Sequence, residues 1–163
     1  PSLVRVALGR TYLQEGKLSE ARHQYEQILK GDLNFAGARY YLGNIYFEQN
    51  DFDRAETAYR RTIALAPSSA RAYERLAHLY GVQRINCDTA LELAQKAVEL
   101  QPDSAAYLNT LSWLYYMSKD YMQAEAAVKK ALTIQPDNRL YREGLKAIQK
   151  AAQANRESEK VRK

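Results

Sequence analysis

The sequence predicts an all-α protein built from repeated helical hairpins, and three observations lead to this prediction. Sets of residues recur every 34 or 35 positions along the 163-residue chain. Only four Pro and seven Gly are present, which favours long helices with short connections. Within each repeat, apolar residues follow the i, i+3, i+4 spacing of one helix face.

Leucine marks the period, and four other residue types keep the same register. The leucines are Leu8, Leu42, Leu76, Leu111 and Leu145, spaced by 34, 34, 35 and 34. A small residue follows each of the first four: Gly9, Gly43, Ala77 and Ser112. The other recurring residues are Tyr12, Tyr46, Tyr80 and Tyr115; Ala21, Ala55, Ala90 and Ala124; and Pro67, Pro102 and Pro136. Independent coincidences at one period indicate a true repeat.

The second repeat shows how one hairpin is encoded. Leu42, Ile45 and Tyr46 share one helix face. The segment QND interrupts this pattern, and Asn50 or Asp51 can cap the next helix. Pro67 then ends the repeat, because proline lacks an amide proton and its ring clashes with the preceding helical turn.

Small residues predict where the two helices of a hairpin cross. Helices approach to about 8 Å only where small side chains meet. Gly43 and Ala55 are therefore predicted to face each other, and Tyr59 to reach toward the following repeat. A leucine at Ala55 should overpack this crossing at a cost of roughly 1–3 kcal/mol.

The Leu-Gly…Tyr…Ala…Tyr…Pro pattern of residues 36–69 resembles the tetratricopeptide repeat (TPR) family. The resemblance implies a right-handed α-solenoid of four TPR units plus a C-terminal capping helix. The TPR domain would cover 1–155, with units at 2–35, 36–69, 70–104 and 105–138 and the capping helix at 139–155. Residues 156–163 are predicted to form a frayed polar tail.

Three repeats depart from this pattern. The first has Leu33 where a proline is expected, and the fourth has Ser112 in place of the glycine. The third gains one residue in the turn GVQRINCD, which leaves the geometry of that turn open. In the last segment, Tyr141, Leu145 and Ile148 share one face, as a capping helix requires.

The two chain ends carry further expectations. The apolar start SLVRVAL has no cap, so we expect a preceding repeat or domain in a longer parent chain, or pairing of this end in a homo-oligomer.

A net charge of +5 from scattered basic residues does not indicate a nucleic-acid partner. No apolar run approaches the roughly 20 residues of a transmembrane helix, and Cys87 alone forms no intramolecular disulfide.

Catalytic motifs are missing from the sequence. It contains no phosphate-binding glycine loop, no HExxH and no Cys-x-x-Cys. His23 and His78 lie in different repeats without spaced metal-ligating partners. The sequence therefore predicts no enzyme activity, no cofactor and no metal.

The resemblance implies a concave groove lined mainly by the first helix of each repeat, which binds a partner peptide or helix. Aromatic and Arg side chains often anchor such partners, and Asn amides can grip a peptide backbone. The groove residues predicted on this basis are Arg10, Tyr40, Asn44, Phe47, Arg71, Arg75, His78, Asn109, Trp113 and Tyr116. Leu140 and Glu143 of the last helix are expected to close this row.

Some TPR proteins bind an acidic chaperone tail through a carboxylate clamp, and this sequence keeps only part of it. Arg71 and Arg75 match, but Val6, Arg10 and Tyr41 stand at the other clamp positions. Two alternatives to a protein-binding scaffold stay open. One is a carbohydrate-handling TPR module of a polysaccharide export system, and the other is a regulatory TPR arm of an enzyme whose catalytic domain is absent from this chain.

Overall fold

The structure is a computed structural model that describes residues 2–161. These residues form nine α-helices and no strand, which confirms the predicted all-α fold. The helices are α1 (Ser2–Gln14), α2 (Leu18–Gly31), α3 (Ala36–Glu48), α4 (Phe52–Leu65), α5 (Ala70–Gln83), α6 (Cys87–Leu100), α7 (Ala105–Met117), α8 (Tyr121–Ile134) and α9 (Arg139–Val161).

Side-chain caps begin several of these helices where the sequence changes from turn to helix. The Asp51 carboxylate accepts a hydrogen bond from the Arg54 amide at the start of α4. Asp120 does the same for α8, and the Ser104 hydroxyl for α7. Of the two predicted caps for α4, Asp51 is therefore the one used. The preceding Asn50 instead adopts a left-handed backbone with φ of 57°.

Left-handed residues also explain the short turns within the hairpins. Gly16, Asn50 and Lys119 occupy this region in the first, second and fourth hairpins, with φ of 73°, 57° and 63°. The third hairpin uses two such residues, Arg84 and Asn86, with φ of 55° and 47°. The extra residue of the third repeat lies in α5, which has 14 residues where α1, α3 and α7 have 13, and α6 begins directly after Asn86.

The chain divides into two compact units, which we call the N-terminal unit (Pro1–Leu79) and the C-terminal unit (Tyr80–Lys163). In the N-terminal unit α1 packs against α2, α2 against α3, and α3 against α4. One core cluster there comprises Ala21, Tyr25, Ile28, Ala38, Leu42 and Ile45. Leu8 is 39% exposed, unlike its buried counterpart Leu42, and Leu3 and Val4 at the start of α1 are also exposed.

In the C-terminal unit, α6 packs against α7, α7 against α8, and α8 against α9. Tyr141 and Ile148 of α9 are buried in a core with residues of α7 and α8, as expected for a capping helix. The helix continues past the predicted boundary at residue 155, so residues 156–161 of the predicted frayed tail are helical. The remaining two residues of that tail lie outside the described part of the chain. Within residues 2–161, no helix is both long and apolar enough to cross a membrane.

Candidate functional site

The predicted groove residues fall into two sets, one in each compact unit. The N-terminal set comprises Arg10, Tyr40, Asn44, Phe47, Arg71, Arg75 and His78, carried by α1, α3 and α5. The C-terminal set comprises Asn109, Trp113 and Tyr116, all on α7.

Tyr59 organises the centre of the N-terminal set. Its ring is fully buried and covers Gly43 so closely that a Cβ added there would lie 2.6 Å from Cε1 of the ring. The space above Gly43 is thus filled by Tyr59, whereas the sequence pattern predicts Ala55 there and directs Tyr59 toward the next repeat. The Tyr59 hydroxyl donates a hydrogen bond of 2.9 Å to Oδ1 of Asn44. The side-chain oxygen of Asn44 therefore accepts a hydrogen bond within the hairpin. Its side-chain amide nitrogen is the group suited to donate to a partner.

Tyr40 lies at the edge of an aromatic cluster. Its ring centroid is 5.4 Å from that of Tyr41 in an edge-on arrangement and 6.3 Å from that of Tyr59. The guanidinium carbon of exposed Arg71 lies 5.2 Å from the Tyr40 ring centroid, within the range of a cation–π contact. Tyr40 and Arg71 therefore combine an aromatic surface with a positive charge.

Arg75 lies beside this cluster and lines a cavity. Burial opposes the charged form of Arg75, but the nearby Glu74 carboxylate and a hydrogen bond to Tyr40 outweigh it and raise the pKa of Arg75. The cavity has a volume of about 410 Å³. Its lining residues are Leu13, Gly16, Leu18, Asn44, Phe47, Glu48, Tyr59 and Arg75. Three predicted groove residues, Asn44, Phe47 and Arg75, thus meet at one cavity.

Four members of the N-terminal set do not line this cavity: Tyr40 and Arg71, described above, and His78 and Arg10. His78 contacts Phe47, with ring centroids 5.4 Å apart, and burial lowers the pKa of His78. Its ring is therefore uncharged near neutral pH, which suits packing. Arg10 is exposed on α1.

The whole C-terminal set lines a second cavity, also of about 410 Å³, between α7, α8 and α9. Its lining is mostly apolar and consists of Asn109, Ser112, Trp113, Tyr116, Val128, Leu140, Glu143, Gly144, Ala147 and Ile148. All three predicted residues of α7 therefore line one cavity, together with Leu140 and Glu143 of α9. Half-buried Trp113 also packs closely against Gly81, where a Cβ would collide with the indole ring.

A substitution within the repeat explains this second cavity. Four residues after the recurring alanine, the first two hairpins carry Tyr25 and Tyr59, whose rings fill the space above Gly9 and Gly43. At this position the fourth hairpin has the smaller Val128. Ser112 replaces the glycine, and its hydroxyl donates a buried hydrogen bond of 2.7 Å to the carbonyl oxygen of Ala124. The missing ring leaves room between α7 and α9.

Two residues that shape these cavities are not among the predicted groove residues. Tyr59 is one of them, although its register with Tyr25 and the adjacent glycine could have placed it above Gly43. Gly144 on α9 lines the second cavity, and a Cβ added there would have no atom within 4 Å. Gly144 precedes the recurring Leu145, whereas Gly9 and Gly43 follow their leucines. The repeat pattern therefore gives only a weak indication that Gly144 lines a cavity.

No group of three or more His, Cys, Asp or Glu residues suited to hold a metal ion occurs among residues 2–161. Cys87, at the start of α6, is exposed. Each of the two cavities combines aromatic rings with a few polar side chains, an arrangement suited to binding.

Helical hairpins repeated every 34 or 35 residues define a helical-repeat protein. Family models of the tetratricopeptide repeat match residues 6–70, 40–81 and 93–126. The chain therefore belongs to the tetratricopeptide repeat family, with an all-α solenoid fold.

Two relatives illustrate the range of proteins that contain similar segments. Human protein O-mannosyl-transferase TMTC1 is 26% identical over 145 residues, which cover 87% of this chain and 16% of that protein. The Hsp70-Hsp90 organizing protein of Triticum aestivum is 35% identical over 113 residues, which cover 69% of this chain and 19% of that protein. The chain thus matches less than a fifth of the length of either relative.

Solved structures share the fold at low identity. The crystal structure of MamA protein has a TM-score of 0.78 at 20% identity and covers 98% of this chain and 86% of its own. The first TPR of Spaghetti (RPAP3), solved bound to HSP90 peptide SRMEEVD, has a TM-score of 0.69 at 20% identity and covers 72% of this chain and 92% of its own.

Proposed function

We propose that this chain is a non-catalytic scaffold that binds a partner peptide or helix through its two sets of groove residues. The observation that carries the proposal is the apolar cavity lined by Asn109, Trp113 and Tyr116. A cavity of about 410 Å³ walled by aromatic and aliphatic side chains favours insertion of a bulky apolar side chain of the partner. Asn109 at its edge can position the adjoining backbone.

The N-terminal set adds polar and aromatic contacts to this proposal. Stacked Tyr40 and Arg71 offer a surface for an aromatic or acidic side chain, since Arg and Tyr are common anchors of interfaces. The side-chain amide of Asn44 can donate a hydrogen bond to the same partner. The N-terminal set therefore favours a polar or acidic stretch of a partner, and the C-terminal set favours a bulky apolar side chain.

The related TPR structure with a bound HSP90 peptide supports peptide binding as a class of function. This support does not extend to the same peptide. Three positions of the carboxylate clamp carry Val6, Arg10 and Tyr41, which do not match it. Arg75 is moreover engaged locally, with its Nε 3.7 Å from Glu74 Oε2. A chaperone tail is accordingly not the partner that we propose.

The test is selection of binders from a random peptide library displayed on phage, followed by titration of the enriched peptides. Gly144→Leu should fill the apolar cavity, because the glycine faces open space, and should weaken binding at least tenfold. Tyr40→Ala combined with Arg71→Glu should weaken binding by removing the stacked pair. Circular dichroism should remain helical in every variant.

Gly144→Ala is the matched control for the cavity. It adds only a methyl group and favours the helix, so binding should stay within about twofold of the original. Peptides that bind to Gly144→Leu and to the Tyr40/Arg71 variant as tightly as to the original chain would contradict the assignment of the site. Failure to enrich any peptide would contradict the proposed function itself.

A second candidate function is that of a regulatory TPR arm within an enzyme. The similarity to O-mannosyl-transferase TMTC1 favours it, because the matched segment is a small part of a protein named for an enzymatic activity. Reading the gene on both sides of the segment that encodes this chain tests the idea directly. A flanking catalytic domain would support it, and an open reading frame without one would exclude it.

A further inference from the structure

The largest of the cavities described for the N-terminal unit lies apart from both sets of groove residues. It has a volume of about 590 Å³ and is walled by α2, α3 and α4. Its lining residues are Glu26, Leu29, Lys30, Leu33, Arg39, Leu42, Tyr46, Arg54, Thr57, Ala58 and Arg61. None of these residues belongs to either set of groove residues, so this cavity is a separate site.

The apolar part of this cavity includes a side chain that the repeat does not require. Leu29, Leu42, Tyr46 and Ala58 contribute from the three helices. Leu33 adds an aliphatic side chain that is 68% exposed, and it stands in register with Pro67, Pro102 and Pro136. At the position where the later repeats carry a rigid ring that ends the hairpin, the first repeat thus presents an exposed leucine to a cavity.

The charged part of the cavity is strongly basic. Four cations, Lys30, Arg39, Arg54 and Arg61, line it with a single carboxylate, Glu26. Glu26 lies 3.5 Å from Nε of Arg22, a residue outside the lining. The cavity therefore carries an excess of positive charge next to its apolar surface.

Two of the four cations are held by the protein itself. Arg39 donates hydrogen bonds of 3.1 and 2.6 Å to the carbonyl oxygen of Leu33, and Arg54 binds the Asp51 carboxylate at 2.5 Å while lying over the Tyr46 ring. Lys30 and Arg61 are exposed, and no ion pair of theirs occurs among the described residues. These two charges are the ones available to an incoming anion.

We propose that this cavity, which we call the basic cavity, docks an acidic amphipathic segment of another protein. Aliphatic side chains of the segment would contact Leu29, Leu33 and Tyr46, and its carboxylates would pair with Lys30 and Arg61. Charge complementarity argues for an acidic partner and against a second copy of this chain, which carries a net charge of +5.

The test uses a synthetic fluorescein-labelled peptide composed of Glu and Leu in a helical amphipathic pattern, with fluorescence anisotropy as the readout. The chain should bind it, and binding should weaken as salt is added because the charges lie at the surface. Lys30→Glu combined with Arg61→Glu should weaken binding at least tenfold. Leu33→Ser should weaken it several-fold without changing the charge.

The matched control is Lys130→Glu combined with Lys146→Glu, which makes the same change in net charge at exposed positions outside the three cavities described above. Its affinity should stay within about threefold of that of the original chain. Equal weakening by both charge reversals, or no effect of Leu33→Ser, would overturn the proposal. So would an absence of peptide binding by the original chain.

Two further arms address the other possible occupants. Sedimentation velocity over a range of concentrations detects a second copy, and co-sedimentation with phosphatidylserine vesicles detects an anionic membrane surface. Self-association or vesicle binding that depends on Lys30 and Arg61, in the absence of peptide binding, would assign the basic cavity to that occupant and overturn the peptide proposal.

Discussion

Tyr25 and Tyr59 occupy the same place in successive hairpins but differ at their hydroxyl groups. Each ring is fully buried against a glycine, Gly9 or Gly43. The Tyr59 hydroxyl has Asn44 as its acceptor, whereas the Tyr25 hydroxyl is buried without a hydrogen-bond partner among the described residues. The residue in register with Asn44 is Arg10, whose side chain has no acceptor to offer. Burial raises the pKa of both tyrosines, so both hydroxyls stay protonated.

We predict opposite effects for the same substitution at these two positions. Tyr59→Phe removes a hydrogen bond and leaves the Asn44 oxygen unpaired, so it should lower the free energy of unfolding by about 1 kcal/mol. Tyr25→Phe removes a buried polar group that lacks a partner, so it should raise that free energy by about 1 kcal/mol. Urea unfolding followed by circular dichroism measures both. A loss of stability in Tyr25→Phe as large as that in Tyr59→Phe would contradict this interpretation.

The turns within the hairpins differ in how well their residues suit a left-handed backbone. Gly16 adopts this conformation without a side-chain clash, whereas Lys119 has a Cβ in the same register with φ of 63°. The third turn places Arg84 and Asn86 in this region, although it covers residues 84–86 and is no longer than the other turns. The residues that adopt the left-handed conformation therefore vary while the length of the turn stays the same.

Lys119→Gly should raise the free energy of unfolding by about 1 kcal/mol, because glycine adopts the left-handed conformation without steric cost. Ser118→Gly is the control, since Ser118 has an ordinary negative φ of −81° and should gain nothing. Thermal unfolding compares the two variants. An equal change in both would show that the effect does not come from the backbone conformation of residue 119.

The elements were predictable from the sequence because proline, capping residues and the Leu-Gly…Tyr pattern act locally. The helix ends near Asp51 and Pro67 illustrate this. The cavities were not predictable in the same way, since they depend on which side chain fills a space between helices. Val128 leaves room that Tyr59 fills elsewhere, and Gly144 borders it from a different helix. Helix α9 also continues past residue 155, because charged residues of high helix propensity extend a helix without needing to be buried.

A repeat protein is stabilised by the hairpins themselves and by contacts between neighbouring hairpins. The chain divides into two compact units, each with its own buried cluster. Damage within one unit should therefore affect the local stability of that unit most. Whether the two units unfold separately or together is measurable without any partner.

Ala55→Leu tests this expectation, because Ala55 is fully buried and a larger side chain should overpack the second hairpin by roughly 1–3 kcal/mol. Hydrogen exchange should show lost protection in α3 and α4, whereas amides of α7 and α8 should retain theirs. Ala64→Leu, at an exposed position of the same helix, serves as the control and should leave both regions protected. Uniform loss across all helices would indicate a single cooperative unit instead.

The exposed thiol of Cys87 and the indole of Trp113 both lie in the C-terminal unit, and the chain has one cysteine and one tryptophan. A maleimide dye attached to the thiol and the intrinsic ultraviolet emission of the indole will therefore both report on that unit. Occupation of the cavity beside Trp113 should be visible optically in the unaltered chain. Events at the basic cavity call for a labelled ligand, or for a second reactive thiol introduced near Leu33.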